Sequence, residues 1–340
     1  MNNFLILEVD DDRWTEIINK SKQYDFYHTQ SYHLLEKENR PVLCVSYFKE
    51  NFIALPLVIR KIPNTNLMDC TSVYGYCGPV SNMDFETIPE FGIVFFQQCL
   101  LSFFKKNAIV SAFTRLHPLT SCSKMFYNFG QVKDVNITVA IDLRLTRDEQ
   151  RKQYRKSCKN EINGLKRKGY EVVKATTKEE IDSFIEIYHE TMKRVNATDR
   201  YFFDEDYFYQ FLDNKCYQNW LLLAKINDSI AAGGIFTVTN KIMQYHLSGT
   251  KEAYIKDTPM KLILDEARLI GNQLNMEFLH LGGGVGGNDE DSLFKFKSSF
   301  SDYRCVYKVW QYIADQVQYD ALVGNRNKEV NNFFPLYRCS

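Results

Sequence analysis

Two stretches of the chain concentrate side chains able to do chemistry. Between Arg147 and Lys168, nine basic residues stand against three acidic ones. Tyr154, Cys158, Ile162 and Leu165 recur there at three- and four-residue spacing, so the stretch reads as one helix with its charges pointing outward. Such a face is ordinarily only solvated. Local positive charge is also what holds a phosphate-rich partner, such as a transfer RNA or a nucleotide-linked substrate. Further along, Leu281-Gly-Gly-Gly-Val-Gly-Gly287 invites comparison with a phosphate-binding loop. A Walker loop runs into Gly-Lys-Ser/Thr, whereas Asn288-Asp-Glu-Asp291 follows here and its carboxylates repel phosphate. Next, Ser292 to Phe300 spaces Leu293, Phe296 and Phe300 as a short amphipathic helix carrying Lys295 and Lys297. Read alone, those lysines are solvated tails. Histidines at 28, 33, 117, 189, 246 and 280 make no H-E-x-x-H pair, and no metal site is expected.

The elements that must position these residues recur in a pattern. Pro41 to Phe48 and Phe52 to Ile59 are apolar runs joined by Lys49-Glu-Asn51, which is a hairpin. Trp220 to Ile226 and Ile230 to Phe236, joined by Asn227-Asp-Ser229, repeat the arrangement, and a third strand follows from Ile242 to Leu247. Thr177-Lys-Glu-Glu180 is a capping box that starts a helix with Ile181, Phe184, Ile185, Tyr188, Met192 and Val195 on its buried face. Thr258-Pro259 opens another helix, striped by Ile263, Ala267, Ile270 and Leu274, and Glu277 to Leu281 reads as the strand after it. Ile93 to Phe104, interrupted by Gln97 and Gln98, is shorter than the roughly 20 residues a membrane span needs and reads as a buried core helix. The expected fold class is α/β, with mixed sheets flanked by helices.

Composition bounds the rest. At 340 residues the chain is long enough for two packed cores. Its 25 Phe, 21 Tyr and 3 Trp argue against disorder. Lysine plus arginine equals aspartate plus glutamate at 42 each, so no global field draws the protein to nucleic acid or an anionic membrane, and any anion binding is local. Nine cysteines, odd in number and without a C-x-x-C pair, fit neither a zinc ribbon nor a disulfide framework. Free thiols and the acidic Glu8, Asp10, Asp11 and Asp12 near the start, where a signal peptide needs basic then apolar residues, lead to a cytoplasmic expectation without a transmembrane segment.

Taken together, Leu281-Gly-Gly-Gly, Asp291-Ser-Leu-Phe and Phe296-Lys-Ser-Ser-Phe300 resemble the C-terminal signature of the FemABX aminoacyltransferases. The resemblance extends back through Tyr245-His-Leu-Ser-Gly249, Pro259, Arg194 through Arg200 to Tyr207-Phe208, the basic helix from Tyr154 to Tyr170, and Tyr76-Cys-Gly-Pro-Val80. It implies two GNAT-like domains of the acyl-CoA N-acyltransferase fold. These are expected over residues 1–145 and 146–310, with a segment 311–340 returning to the first. It also implies a transferase that forms an amide on an amine of a cell-wall or surface-polysaccharide precursor, nucleotide-linked or lipid-linked, without a permanently bound cofactor. Aminoacyl-tRNA is the implied co-substrate, and peripheral contact with the inner membrane is compatible with such an acceptor.

Residue by residue, the resemblance puts Phe296 and Lys297 beside the reacting ester, where a cation can stabilise developing negative charge. Arg200 falls at an arginine that holds the acceptor's pyrophosphate, and Tyr207 and Tyr245 at tyrosines lining that site. Arg151, Lys152, Arg155 and Lys159 become candidates for the tRNA contact. Two departures fall on the acceptor side. The family's Arg-x-Asp-Pro reads Arg115-Leu-His-Pro118, so His117 stands where a candidate catalytic base would be. A phosphate-binding lysine falls opposite Glu36, with Lys37 adjacent. An acyl-CoA-dependent N-acyltransferase of the same fold, using acetyl-CoA or another acyl-CoA, is the second enzyme class. Tyr254 to Pro259 lacks the glycines with which such enzymes cradle a pyrophosphate. A noncatalytic RNA-binding or scaffold protein is the third class, and the intact Phe296-Lys297 and Arg200 argue against it.

Overall fold

A computed structural model describes residues 3–284, 291–324 and 333–339, which divide into two units. The first comprises the described residues within Met1–Asn136 and Val306–Ser340, and the second those within Ile137–Cys305.

In the first unit, β1 (Asn3–Glu8), α1 (Arg13–Lys20) and α2 (Gln30–His33) precede the expected hairpin, β2 (Arg40–Phe48) with β3 (Asn51–Lys61). Then come β4 (Met68–Thr71), the short β5 (Val80–Ser81), α3 (Glu90–Lys106), β6 (Ile109–Leu116) and β7 (Gln131–Asp142), whose later residues belong to the second unit. Helix α3 contains the buried apolar stretch read from the sequence, and Phe96, Leu100, Phe103 and Phe104 pack on the sheet. The parallel neighbours β4 and β6 are joined through α3, because parallel strands need a crossover rather than a tight turn.

The second unit continues with α4 (Arg147–Lys152), α5 (Lys156–Arg167), β8 (Glu171–Lys174), α6 (Lys178–Arg194) and α7 (Glu205–Leu212). Strands β9 (Gln218–Ile226), β10 (Ser229–Thr239) and β11 (Ile242–Thr250) form an antiparallel meander, followed by α8 (Met260–Gln273), β12 (Phe278–Gly283) and α9 (Ser292–Lys297). Among the described residues its sheet order is β7-β12-β11-β10-β9-β8, with β11 and β12 parallel and the other neighbours antiparallel. Meander, helix and parallel strand thus repeat the β2-β3-β4-α3-β6 plan. Ile162 and Leu165 from α5 and Ile263 and Ala267 from α8 share one core with Phe236, Met243 and Leu279. Helix α6 meets the opposite face, where an added Cβ at Gly233 would strike the Phe184 ring. The Thr177 capping box forms as read, Thr177 accepting from Glu180 N and Glu180 from the cap nitrogen.

Strand β13 (Arg304–Ile313) and α10 (Gln316–Val323) carry the chain back into the first unit, where β13 pairs antiparallel with β6 and Trp310 is fully buried. The first unit's sheet order is β1-β2-β3-β4-β6-β13-β7.

One expectation is corrected. The basic stretch is two helices, with a break at Gln153 to Arg155. Tyr154 points its hydroxyl at Asp265 Oδ1, 3.1 Å away, and Arg155 N donates to Ser299 O at 2.9 Å. Tertiary partners take the backbone and side-chain groups that a continuous helix would have kept, overriding local propensity.

Candidate functional site

The geometry around Lys297 begins with a parting of strands. Parallel pairing of β11 and β12 covers only Ile242↔Phe278, Met243↔Leu279 and Gln244↔His280. Just beyond, both strands bulge: the β10 register skips His246, and the β7 register skips Leu281. Bulges add twist and end pairing, so Tyr245 onward and Leu281 onward separate. Helix α9 stands at the β12 side of the opening. Asp291, the last member of the acidic cluster, caps it by accepting from Leu293 N at 2.7 Å and Phe294 N at 3.1 Å. Of the glycine-rich run, Leu281 to Gly284 are described, and Val285 to Gly287 lie outside the described residues with Asn288, Asp289 and Glu290.

Lys297 is 8% exposed, its Nζ donating to Gly283 O at 2.7 Å and lying 5.6 Å from the Tyr245 ring centroid. Burial lowers its ammonium from 10.5 to about 8, against the pull of Asp291 in the other direction. At neutral pH it remains mostly a cation in a buried setting, where a charge acts more strongly than in bulk solvent. Tyr245 bonds Ser248 Oγ through its hydroxyl at 2.5 Å, and burial raises that hydroxyl to about 12. Phe296 is half-buried, its ring 5.9 Å from Phe300 and 6.0 Å from Lys261 Nζ. Lys261 is itself buried and paired with Glu161. The structure therefore assembles Lys297, Phe296 and Tyr245 on the side of the sheet that carries α5 and α8.

Tyr207 lies on the other side. Its ring stacks on Phe203 at 4.1 Å, and its hydroxyl meets His246 Nε2 at 3.3 Å. Tyr207 thus meets β11 on the face opposite the one that carries the Tyr245 ring. Arg200 is exposed in the turn Asp199–Tyr201, its guanidinium 5.2 Å from the Tyr201 ring. The Gly249 of the Tyr245-to-Gly249 motif has a packing reason, since a Cβ there would come 2.7 Å from Ile187 O of α6.

The four basic candidates separate. Arg151 Nη1 bonds Asp265 Oδ2 at 3.1 Å, and its Nη2 bonds Asn163 Oδ1 at 3.1 Å. Asp265 is 2% exposed and also receives Tyr154 and Arg268, with Lys166 Nζ at 3.8 Å. Arg151 therefore serves a buried carboxylate, a role the sequence did not signal because its partner is 114 residues away. Lys152 and Arg155 are exposed, and half-buried Lys159 donates to Lys152 O at 3.3 Å.

In the first unit, His117 is buried at the end of β6. Nδ1 accepts from Leu119 N at 3.2 Å, which leaves Nε2 as the protonated nitrogen facing Asp25 Oδ2 at 3.1 Å. With both nitrogens so engaged, taking a proton from an amine would require release of the Leu119 contact. Asp25 is fully buried and also accepts from Phe26 N at 2.7 Å, a partner for His117 that sequence reading missed across 92 residues. His117 sits at the edge of a cleft of about 760 Å³ shared with Thr120, Lys124, Tyr127 and Lys308. Lys37 is exposed, while Glu36 holds its own loop by accepting from the backbone of Glu38 and Asn39 at 3.1 Å each.

The model of the FemAB family matches residues 123–229. No curated protein sequence matches the chain. Among solved structures, the chain is similar to FemX at 11% identity and a TM-score of 0.73, over 93% of this chain and 99% of that one. It is similar to L-PGS from Bacillus licheniformis at 12% identity and a TM-score of 0.58, over 89% and 92%. A tandem GNAT protein from the clavulanic acid biosynthesis pathway matches at 10% identity and a TM-score of 0.52, over 92% and 99%. At these identities the likeness is one of fold: the chain is FemAB-like and has the tandem GNAT architecture.

Proposed function

We propose that this FemAB-like, tandem-GNAT chain is an N-acyltransferase that moves an aminoacyl group from aminoacyl-tRNA to an amine on a cell-wall or surface-polysaccharide precursor. The observation that carries the reading is the Lys297 ammonium, buried beside the point where β11 and β12 part. The FemAB match and the fold shared with FemX support the substrate class.

In the transfer, the acceptor amine attacks the ester carbonyl and gives a tetrahedral intermediate with negative charge on oxygen. Collapse forms the amide, breaks the bond to the ribose oxygen and passes the amine's proton to that leaving oxygen. A fixed ammonium favours both the oxyanion and the departing alkoxide, because it acts where charge develops. Arg200, exposed and forked, suits phosphate oxygens of a nucleotide-linked or lipid-linked acceptor. Lys152, Arg155 and Lys159 are offered as the tRNA contact, and no bound cofactor is required. The described helices include none long and apolar enough to cross a membrane.

The test is incubation of the purified protein with a charged tRNA mixture, acetyl-CoA and candidate precursors, followed by mass spectrometry of the products. An added aminoacyl mass supports the proposal. An acetyl mass assigns the chain to the CoA-dependent class instead, and no transfer with any donor, alongside retained RNA binding, leaves the noncatalytic reading.

A further inference from the structure

A line of buried polar side chains crosses the sheet of the second unit at the last rung before β11 and β12 separate. Gln244 and His280 face each other on that rung, are 1% and 0% exposed, and are joined side chain to side chain at 2.6 Å. The amide nitrogen of Gln244 donates to Tyr245 O at 2.8 Å, so its oxygen is what it presents to His280. His280 must then donate from Nδ1, and its Nε2 takes the hydroxyl of Thr138 on β7 at 2.9 Å. Thr138 is also fully buried and lies 3.3 Å from Cys305 O.

Polar groups are costly at full burial unless paired, and a sheet interior of this kind is normally filled by apolar residues. Here the pairs bind three neighbouring strands to one another where the backbone ladder gives out. One of the two groups that hold Lys297, the Tyr245 ring, belongs to the residue whose carbonyl Gln244 grips. The other, Gly283 O, lies three residues beyond His280 on β12.

We propose that Gln244, His280 and Thr138 form a brace that fixes how far β11 and β12 open, which makes His280 a positioning residue for the Lys297 ammonium. Its service to catalysis rests on reading Lys297 as the cation of the transfer reaction, whereas the brace itself can be tested without any substrate.

The probe is acetic anhydride, reacting with the Lys297 amine across a pH series and read by peptide mass spectrometry. In the unaltered protein the labelling midpoint should fall near 8, where burial places this lysine. Gln244→Leu and His280→Gln remove the contact between the two strands, and each should raise that midpoint by roughly one pH unit or more as water reaches Nζ. His280→Asn keeps a donor near the position of Nδ1 and should leave the midpoint close to the original. Where transfer can be measured, Gln244→Leu should lower kcat by roughly tenfold with KM little changed.

Superimposable labelling curves for folded Gln244→Leu, His280→Gln and the unaltered chain would overturn the brace. So would an equal shift in His280→Asn and His280→Gln, which would mark general loosening. If His280→Gln does not fold, Gln244→Leu against His280→Asn decides alone. A shifted midpoint in the variants, together with no transfer by the unaltered protein, would sustain the brace and sink the proposed reaction.

Discussion

Lys297 carries the sharpest consequences at the scale of single residues. Its neutral amine is favoured in the folded chain, with the ammonium at about 8 against 10.5 for an ordinary lysine. Between those values the unfolded chain binds more protons than the folded one, so the lysine's contribution to stability rises with pH across that window. Activity that needs the cation should run the other way, falling as pH rises through about 8. Lys297→Arg should retain part of the activity and lose that falling limb, because a guanidinium stays charged. Lys297→Met should reduce kcat by roughly a hundredfold or more with ground-state affinity little changed, the loss typical of one oxyanion-stabilising donor. Near-normal kcat with weakened acceptor binding would move Lys297 to a binding role. For Arg200→Ala, calorimetry should show weaker binding of a pyrophosphate-bearing acceptor and an unaltered melting temperature, since an exposed arginine adds little to stability. Equal affinity would remove Arg200 from the acceptor site.

At the scale of elements, the proposed tRNA contact is set apart from the Arg151–Asp265 pair within the basic stretch. Lys152, Arg155 and Lys159 replaced together by glutamine should weaken tRNA binding and flatten the plot of log affinity against log salt, because fewer counterions are released. An unchanged slope would mean that α4 and α5 only meet solvent there. Arg151→Gln should behave differently. It withdraws a guanidinium from Asp265, a carboxylate 2% exposed, and should cost about 1–3 kcal/mol in a denaturant titration. A salt slope that falls with Arg151→Gln at unaltered stability would return Arg151 to the RNA-binding set.

Across the whole molecule, the last residues close the first unit. Asp69 on β4 is fully buried and is gripped by Arg60 at 2.8 Å, Arg338 at 2.5 Å and the Tyr337 hydroxyl at 3.1 Å. Arg338→Met should therefore cost about 2–3 kcal/mol, as one partner of a buried charge is lost while two remain. Hydrogen exchange should show the lost protection in peptides around Asp69 and Ser111, which Tyr337 also reaches at 2.8 Å. Uniform loss across both units, or none, would contradict this. The amino-acid sequence by itself determined the hairpins, the Thr177 cap, the stripe of α8 and the short helix bearing Lys297, because turn chemistry and periodicity act within a few residues. The family resemblance likewise lay in short ordered motifs such as Phe296-Lys-Ser-Ser-Phe300. Only the tertiary structure decided that Arg151 faces Asp265, that His117 faces Asp25, and that Tyr207 and Tyr245 stand on opposite faces of β11. It also decided the burial of Lys297, since the groups that shield its ammonium and lower its proton affinity arrive from distant strands, and desolvation has no signature in local spacing.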